Sequence, residues 1–165
     1  MAIRNLRYDK DEILKKRSRE IEVIDDKIKE LANDMLETMH KWDGLGLAGP
    51  QVGILKRIVV IDLYEEGMQF VLINPVIVKT KGEQEVDEGC LSFPNQFGKV
   101  IRPKEVTVEA LDLDGNKVTL KGKDLLAQAL CHEIDHLDGH LFVEKVIPGT
   151  LETIVPEKDK DKKKK

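Results

Sequence analysis

Residues 132–136 read His-Glu-Ile-Asp-His, and no other stretch of the 165-residue chain restricts its structure and chemistry so tightly. On a helix, positions four apart lie one turn apart on the same face, so His132 and His136 can share one metal ion. Glu133 sits on the flank of that face, close enough to handle the proton of a metal-activated water. Two neutral imidazoles and an adjacent carboxylate are what metal-assisted hydrolysis needs. The plainer alternative is a surface helix with solvated histidines. With only four His in the chain, a chance match to this pattern is about one percent or less.

A catalytic metal site normally has three protein ligands and one open position. A metzincin-like protease would supply the third from a histidine six residues after the second. Gly139 fits that pattern, but Phe142 occupies the ligand position. His140 is near, yet Gly139 is expected to end the helix and turn it away to the surface. The remaining candidate is Cys90, in the run Glu88-Gly89-Cys90-Leu91-Ser92. A lone cysteine is usually a small buried hydrophobe, but Gly89 lets the backbone beside it approach another group closely. A thiolate bound to a divalent metal is deprotonated outright.

A third segment, Gly44-Leu45-Gly46-Leu47-Ala48-Gly49-Pro50-Gln51-Val52-Gly53, has the composition of a strained loop with exposed backbone amides. It lacks the Gly-Lys-Ser/Thr ending of a phosphate loop. It follows a helical pattern, where a dinucleotide fingerprint would follow a strand. Taken in this order and at these separations, the three segments closely resemble peptide deformylase in its bacterial form. The resemblance runs from the N-terminal segment to about Ile147. Gly49 stands where the family usually has alanine or a similar small residue, which would slightly loosen the loop. Cys131 stands where many members have glutamine.

The resemblance implies hydrolysis of the N-formyl group from the methionine that begins a newly made polypeptide. It implies one divalent metal held by Cys90, His132 and His136, with Glu133 as general base and then acid. Gln51, through its side-chain amide, and Leu91, through its backbone amide, would face the formyl oxygen. Backbone groups of Leu45 and Gly46, with Gly89 opposite, would pair with an extended peptide. Phe97, Leu125, Ala129 and the stem of Glu88 would border a methionine pocket, and Glu88 and Arg102 would orient ligands and loop. Two nitrogens and a thiolate suit zinc by softness. The family implies ferrous iron in the cell, with nickel, cobalt or zinc as the ion found after purification.

Composition sets the frame. The length suits one catalytic domain over residues 1–150, with 151–165 a charged tail expected to be disordered. Twenty-seven basic against 31 acidic residues give a net charge of −4, which argues against sequence-specific nucleic-acid binding driven by bulk charge. No apolar run suits a membrane span and no signal-peptide core is seen, so a cytoplasmic location is expected. Cys131 points away from the His132/His136 stripe and reads as a free structural thiol. The lysine-rich tail could touch ribosomal RNA transiently, a solvated end being the simpler account.

Apolar residues at three- and four-residue spacing predict an amphipathic helix over 24–39. Strands are predicted over 58–63, 70–73, 76–79, 106–113 and 117–120, with a hairpin turn at Asp114-Gly115-Asn116. A second helix is predicted over 124–137. On it Leu126, Leu130, Ile134 and Leu137 form a core face, beside a stripe of Leu125, Ala129, His132 and His136. The predicted class is α+β: small mixed or antiparallel sheets packed around the motif-bearing helix. Two other readings compete. A zinc peptidase would leave Cys90 and Gln51 without a role. A closed four-ligand structural site would need His140 or another ligand.

Overall fold

The computed structural model describes residues 2–154. A single turn of 3-10 helix at Glu12–Lys15 precedes α1 (Asp26–Lys41), β1 (Gly46–Ala48), a second 3-10 turn (Gly49–Val52) and β2 (Ile58–Asp62). Then follow β3 (Gln69–Lys81), β4 (Gln84–Cys90), β5 (Phe93–Arg102), β6 (Glu105–Leu111) and β7 (Lys117–Lys123). Helix α2 (Leu125–Leu137), a 3-10 turn at Phe142–Glu144 and the two-residue β8 (Glu152–Thr153) complete the order. Five strands form one sheet in the order β1-β2-β3-β6-β7, and β4-β5-β8 form a second. Every strand pairing within the two sheets is antiparallel.

The uninterrupted apolar run of β2 has a direct cause: both of its faces are covered. Val59 and Ile61 pack with α2 residues Leu126, Leu130, Ile134 and Leu137. Ile58 and Val60 pack with Ile28, Leu31, Met35 and Met39 of α1 on the other side. Each large side chain so buried contributes roughly 1.5–3 kcal/mol. Helix α1 begins two residues later than predicted because the Asp25 carboxylate accepts the Ile28 N–H at 3.1 Å and caps it. Helix α2 ends where expected: Gly139 has φ +78°, and a Cβ there would lie 2.5 Å from the carbonyl oxygen of Lys15.

Several expectations need correction. The runs 70–73 and 76–79 belong to one strand, β3, which passes through Pro75 by a register shift between Ile73 and Val76. Asn74 sits there at φ +52°, its side chain bonded to the Ile21 N–H at 2.8 Å and the Ile21 carbonyl at 2.9 Å. The β4–β5 hairpin was absent from the predicted strands because its alternation is largely polar. The Gly-rich segment is not wholly loop, since Gly46–Ala48 form the edge strand of the larger sheet. Residues 151–154 fall within the expected charged tail, yet Glu152 and Thr153 pair with Phe97 and Gln96. The remaining tail, 155–165, lies outside the described residues. Among the described residues no helix is long and apolar enough to cross a membrane.

Candidate active site

Cys90 ends β4, while His132 and His136 lie on α2, 42 or more positions further along the chain. The fold brings their donor atoms within 4.8 Å of one another. Cys90 Sγ is 3.3 Å from His136 Nε2, and the two imidazoles meet edge to face with centroids 5.0 Å apart. His140, by contrast, is an exposed surface residue 3.9 Å from Glu144. Phe142 is buried and packs its ring 6.0 Å from that of His132.

Glu88, on the same strand as Cys90, accepts a hydrogen bond from His132 Nδ1, which directs the other ring nitrogen toward Glu133 Oε2, 4.0 Å away. Arg102 holds Glu88 through both carboxylate oxygens, with Nε donating to Oε2 at 3.0 Å and a second, shorter contact to Oε1. It also donates to Asp135 at 2.7 Å, and Asp135 meets Lys145 at 2.9 Å. Glu88 and Arg102 are each 3% exposed. Burial alone would raise the Glu88 carboxyl, but hydrogen bonds from His132 and Arg102 prevail and bring it down to about 2. It is therefore an anion deep in the protein.

Glu133 behaves in the opposite way. Burial raises its carboxyl to about 7; His132 opposes the rise and the nearby Glu88 charge adds to it. Its Oε1 and the Nδ1 of His136 have no hydrogen-bond partner among the described residues. Burial and the neighbouring His132 push His136 well below the ordinary histidine range, which leaves it a neutral imidazole with a lone pair to offer. A soft sulfur donor, two buried imidazoles and an adjoining carboxylate form a donor set that fits a divalent ion.

The Gly-rich segment forms the facing wall. Gln51 is buried; its Oε1 accepts the Ala48 N–H at 2.9 Å, and its Nε2 lies 3.1 Å from Ser92 Oγ and 3.4 Å from Cys90 Sγ. Gly46 is glycine for a steric reason, because a Cβ would lie 2.6 Å from Glu133 Oε2. Gly89 likewise makes room for the Phe97 ring, 2.7 Å from where a Cβ would stand.

These groups open into a cleft of about 670 Å³. Leu45, Gly46, Gln51, Glu88, Gly89, Cys90, Leu91, Phe97, Leu125, Ala129, His132 and Glu133 all line it. His136 and Arg102 lie behind that surface. Sequence reasoning missed Trp42, Asn95 and Gln128, which also line it. Gln128 could have been found, since it falls between Leu125 and His132 on the same helical stripe; its amide donates to the Asp87 carbonyl at 3.1 Å. Cys131 faces the core, and burial raises its thiol to about 11.

Residues 3–151 match the family model described as polypeptide deformylase. The chain belongs to the peptide deformylase family. The peptide deformylase of Acetivibrio thermocellus is 58% identical over 147 residues, spanning 89% of this chain and 85% of that protein. Peptide deformylase 2 of Clostridium acetobutylicum is 56% identical, spanning 88% and 97%. Among solved structures, the enzyme from Legionella pneumophila superposes with a TM-score of 0.85 at 44% identity, covering 88% of this chain and 87% of that one. The Synechococcus elongatus enzyme, solved in complex with actinonin, gives 0.85 at 42% identity over 88% and 81%. Peptide deformylases are metalloenzymes, and Cys90, His132 and His136 form the candidate site for the ion.

Proposed function

We propose that this chain hydrolyses the N-formyl group of the initiator methionine on newly made polypeptides and releases formate. The observation that carries the reading is the convergence of Gln51, Cys90, His132 and Glu133 on one cleft in a peptide deformylase fold, with His136 grouped behind Cys90 and His132. Cys90, His132 and His136 would hold a divalent ion, ferrous iron in the cell, which when bound supplies Lewis acidity and a water acidified toward neutral pH.

The protein's own groups do the rest. Glu133, with its carboxyl near 7, accepts a proton from the attacking water and returns it to the departing amine nitrogen. Gln51 Nε2 and the backbone N–H of Leu91 donate to the formyl oxygen as charge builds on it. Glu88 keeps His132 in one orientation, and Arg102 keeps Glu88 ionised.

Substrate binds as an added strand between the free edges of two sheets, β1 and β4. The Leu45 carbonyl already accepts the Asp62 N–H at 2.9 Å. Antiparallel alternation then turns the N–H and C=O of the next residue, Gly46, outward, so Gly46 is the main pairing residue of that wall. Leu125, Ala129 and Phe97 border the methionine side chain. The enzyme works in the cytoplasm on nascent chains, with transient contact to the ribosome.

The test is anaerobic turnover of formyl-Met-Ala-Ser beside acetyl-Met-Ala-Ser and an unblocked peptide, with bound metal measured in the same sample. Formate from the first alone, abolished in Glu133→Ala, supports the reading. Cleavage of peptide bonds would move the case to a peptidase, and a metal-loaded chain without turnover would refute catalysis.

A further inference from the structure

The wall formed by residues 42–46 hangs between the end of α1 and the end of β2, and two unusual backbone positions stand there, one in the wall and one just after β2. Asp43 (φ +54°) and Tyr64 (φ +59°) both occupy the left-handed region without being glycine, an outlying conformation for a residue as bulky as tyrosine. Side chains and backbone over-determine Tyr64, while the Asp43 N–H donates to the His40 carbonyl at 3.2 Å. Asp62 accepts from the Tyr64 N–H at 2.7 Å through one oxygen and from His40 Nε2 at 2.7 Å through the other. The Tyr64 ring lies against His40, centroids 5.7 Å apart, and its hydroxyl donates to the Gly44 carbonyl at 2.7 Å. The next carbonyl, that of Leu45, is held by the Asp62 N–H. Two successive carbonyls of the wall are thus anchored from one short cluster outside the cleft, just before Gly46 turns its backbone to the open edge.

We infer that Tyr64, braced by Asp62 and His40, is a positioning residue for substrate binding: it fixes residues 44–46 so that Gly46 meets an extended peptide. This rests on the deformylase reading above. Tyr64 touches no reacting atom, so its loss affects binding of the peptide backbone and leaves the chemical step alone.

The experiment compares the metal-loaded chain with Tyr64→Phe, which deletes only the hydroxyl, on formyl-Met-Ala-Ser and on formyl-methionine, which has no downstream backbone. Loss of one hydrogen bond predicts a rise in KM for the tripeptide of roughly threefold to tenfold, with kcat held within about twofold and metal content unchanged. Formyl-methionine should show no such rise. His40→Gln, which keeps a donor for Asp62, should stay near the parent, whereas His40→Ala should share part of the defect. Amide exchange of residues 44–46 should quicken in Tyr64→Phe. An unchanged tripeptide KM, or equal effects on both substrates, would overturn the inference. Failure of the parent to release formate would sink the deformylase reading instead. Exchange would then decide alone, faster in the variant upholding the anchor and unchanged refuting it.

Discussion

On the helix side of the cleft, groups are placed by charge; on the loop side, they are placed by missing side chains. His132 is oriented by Glu88, Glu88 by Arg102, and Arg102 also by Asp135, in a chain of buried ions. Across the cleft, Gly44, Gly46 and Gly49 let the backbone approach Leu91, Glu133 and the carbonyls of Ile54 and Lys56. The first arrangement fails when a partner is removed. The second fails when an atom is added. The same cavity can therefore be broken by deletion on one wall and by insertion on the other.

The largest effect is expected at Arg102. Arg102→Ala leaves the buried Glu88 charge with only its His132 hydrogen bond and the half-buried Asp135 with only Lys145. Breaking a buried ion pair in this way typically costs about 3–5 kcal/mol. Urea denaturation of the metal-free chain measures it. A loss well under 1 kcal/mol would mean that the ions are solvated and the electrostatic account of this wall is wrong.

The same ions give this wall a pH signature. The Glu88 carboxyl lies near 2 in the folded chain, against an ordinary value of 4.5. Folding gains from its ionisation throughout the range above 4.5, and that gain drains away as pH falls from 4.5 toward 2. Unfolding free energies of the metal-free chain should fall more steeply over this acid window than those of Glu88→Gln. Parallel curves would remove Glu88 as the acid-sensitive member.

On the loop side, Gly46→Ala tests the steric counterpart. Its Cβ must displace Glu133 Oε2, which stands 2.6 Å from that point. Displacing the proposed base by about 1 Å is expected to lower kcat on the order of 100-fold. Fold and metal content should survive, because the strand pairing of β1 does not need the glycine. Unchanged kcat would show that Glu133 has room to move.

The two walls also differ in how far the sequence revealed them. Helix α2 was legible because Leu126, Leu130, Ile134 and Leu137 repeat with helical period and the histidines fall on the adjoining stripe. The strand β2 was legible because burial on both faces leaves a continuous apolar run. Strands β4 and β5 were not, because they reverse the usual rule. Arg102 is 3% exposed while its neighbour Ile101 is 47% exposed, and Glu88 is buried on a strand of mostly polar residues. The ion network that orients His132 demands charged groups facing inward, so the pattern that marks a strand is inverted where the site is built. The edge strand β1 was hidden by Gly46 and the flanking Gly44 and Gly49, whose spacing records close approach and carries no strand propensity. Asp62 and Tyr64 escaped for a further reason: nothing in a sequence shows that a tyrosine hydroxyl will reach a carbonyl twenty positions away.

The smallest of these effects is expected at Gly49, where the direction of the change is the informative quantity. This residue begins a 3-10 turn and has an ordinary negative φ, so alanine is conformationally allowed. Were space available, Gly49→Ala would stabilise the chain by about 0.4–1 kcal/mol through the unfolded state. Space is not available: a Cβ would stand 2.6 Å from the Lys56 carbonyl oxygen and 2.7 Å from that of Ile54. Neither is a flexible side chain that can swing aside, and the Ile54 N–H is itself tied to the Gly49 carbonyl at 3.0 Å. The glycine therefore permits a tighter turn here, where the sequence suggested a looser loop. Overpacking of this kind costs about 1–3 kcal/mol, so thermal unfolding of Gly49→Ala should shift down by several degrees. An upward shift would show that the turn has slack, and would confine steric placement on this wall to Gly44 and Gly46.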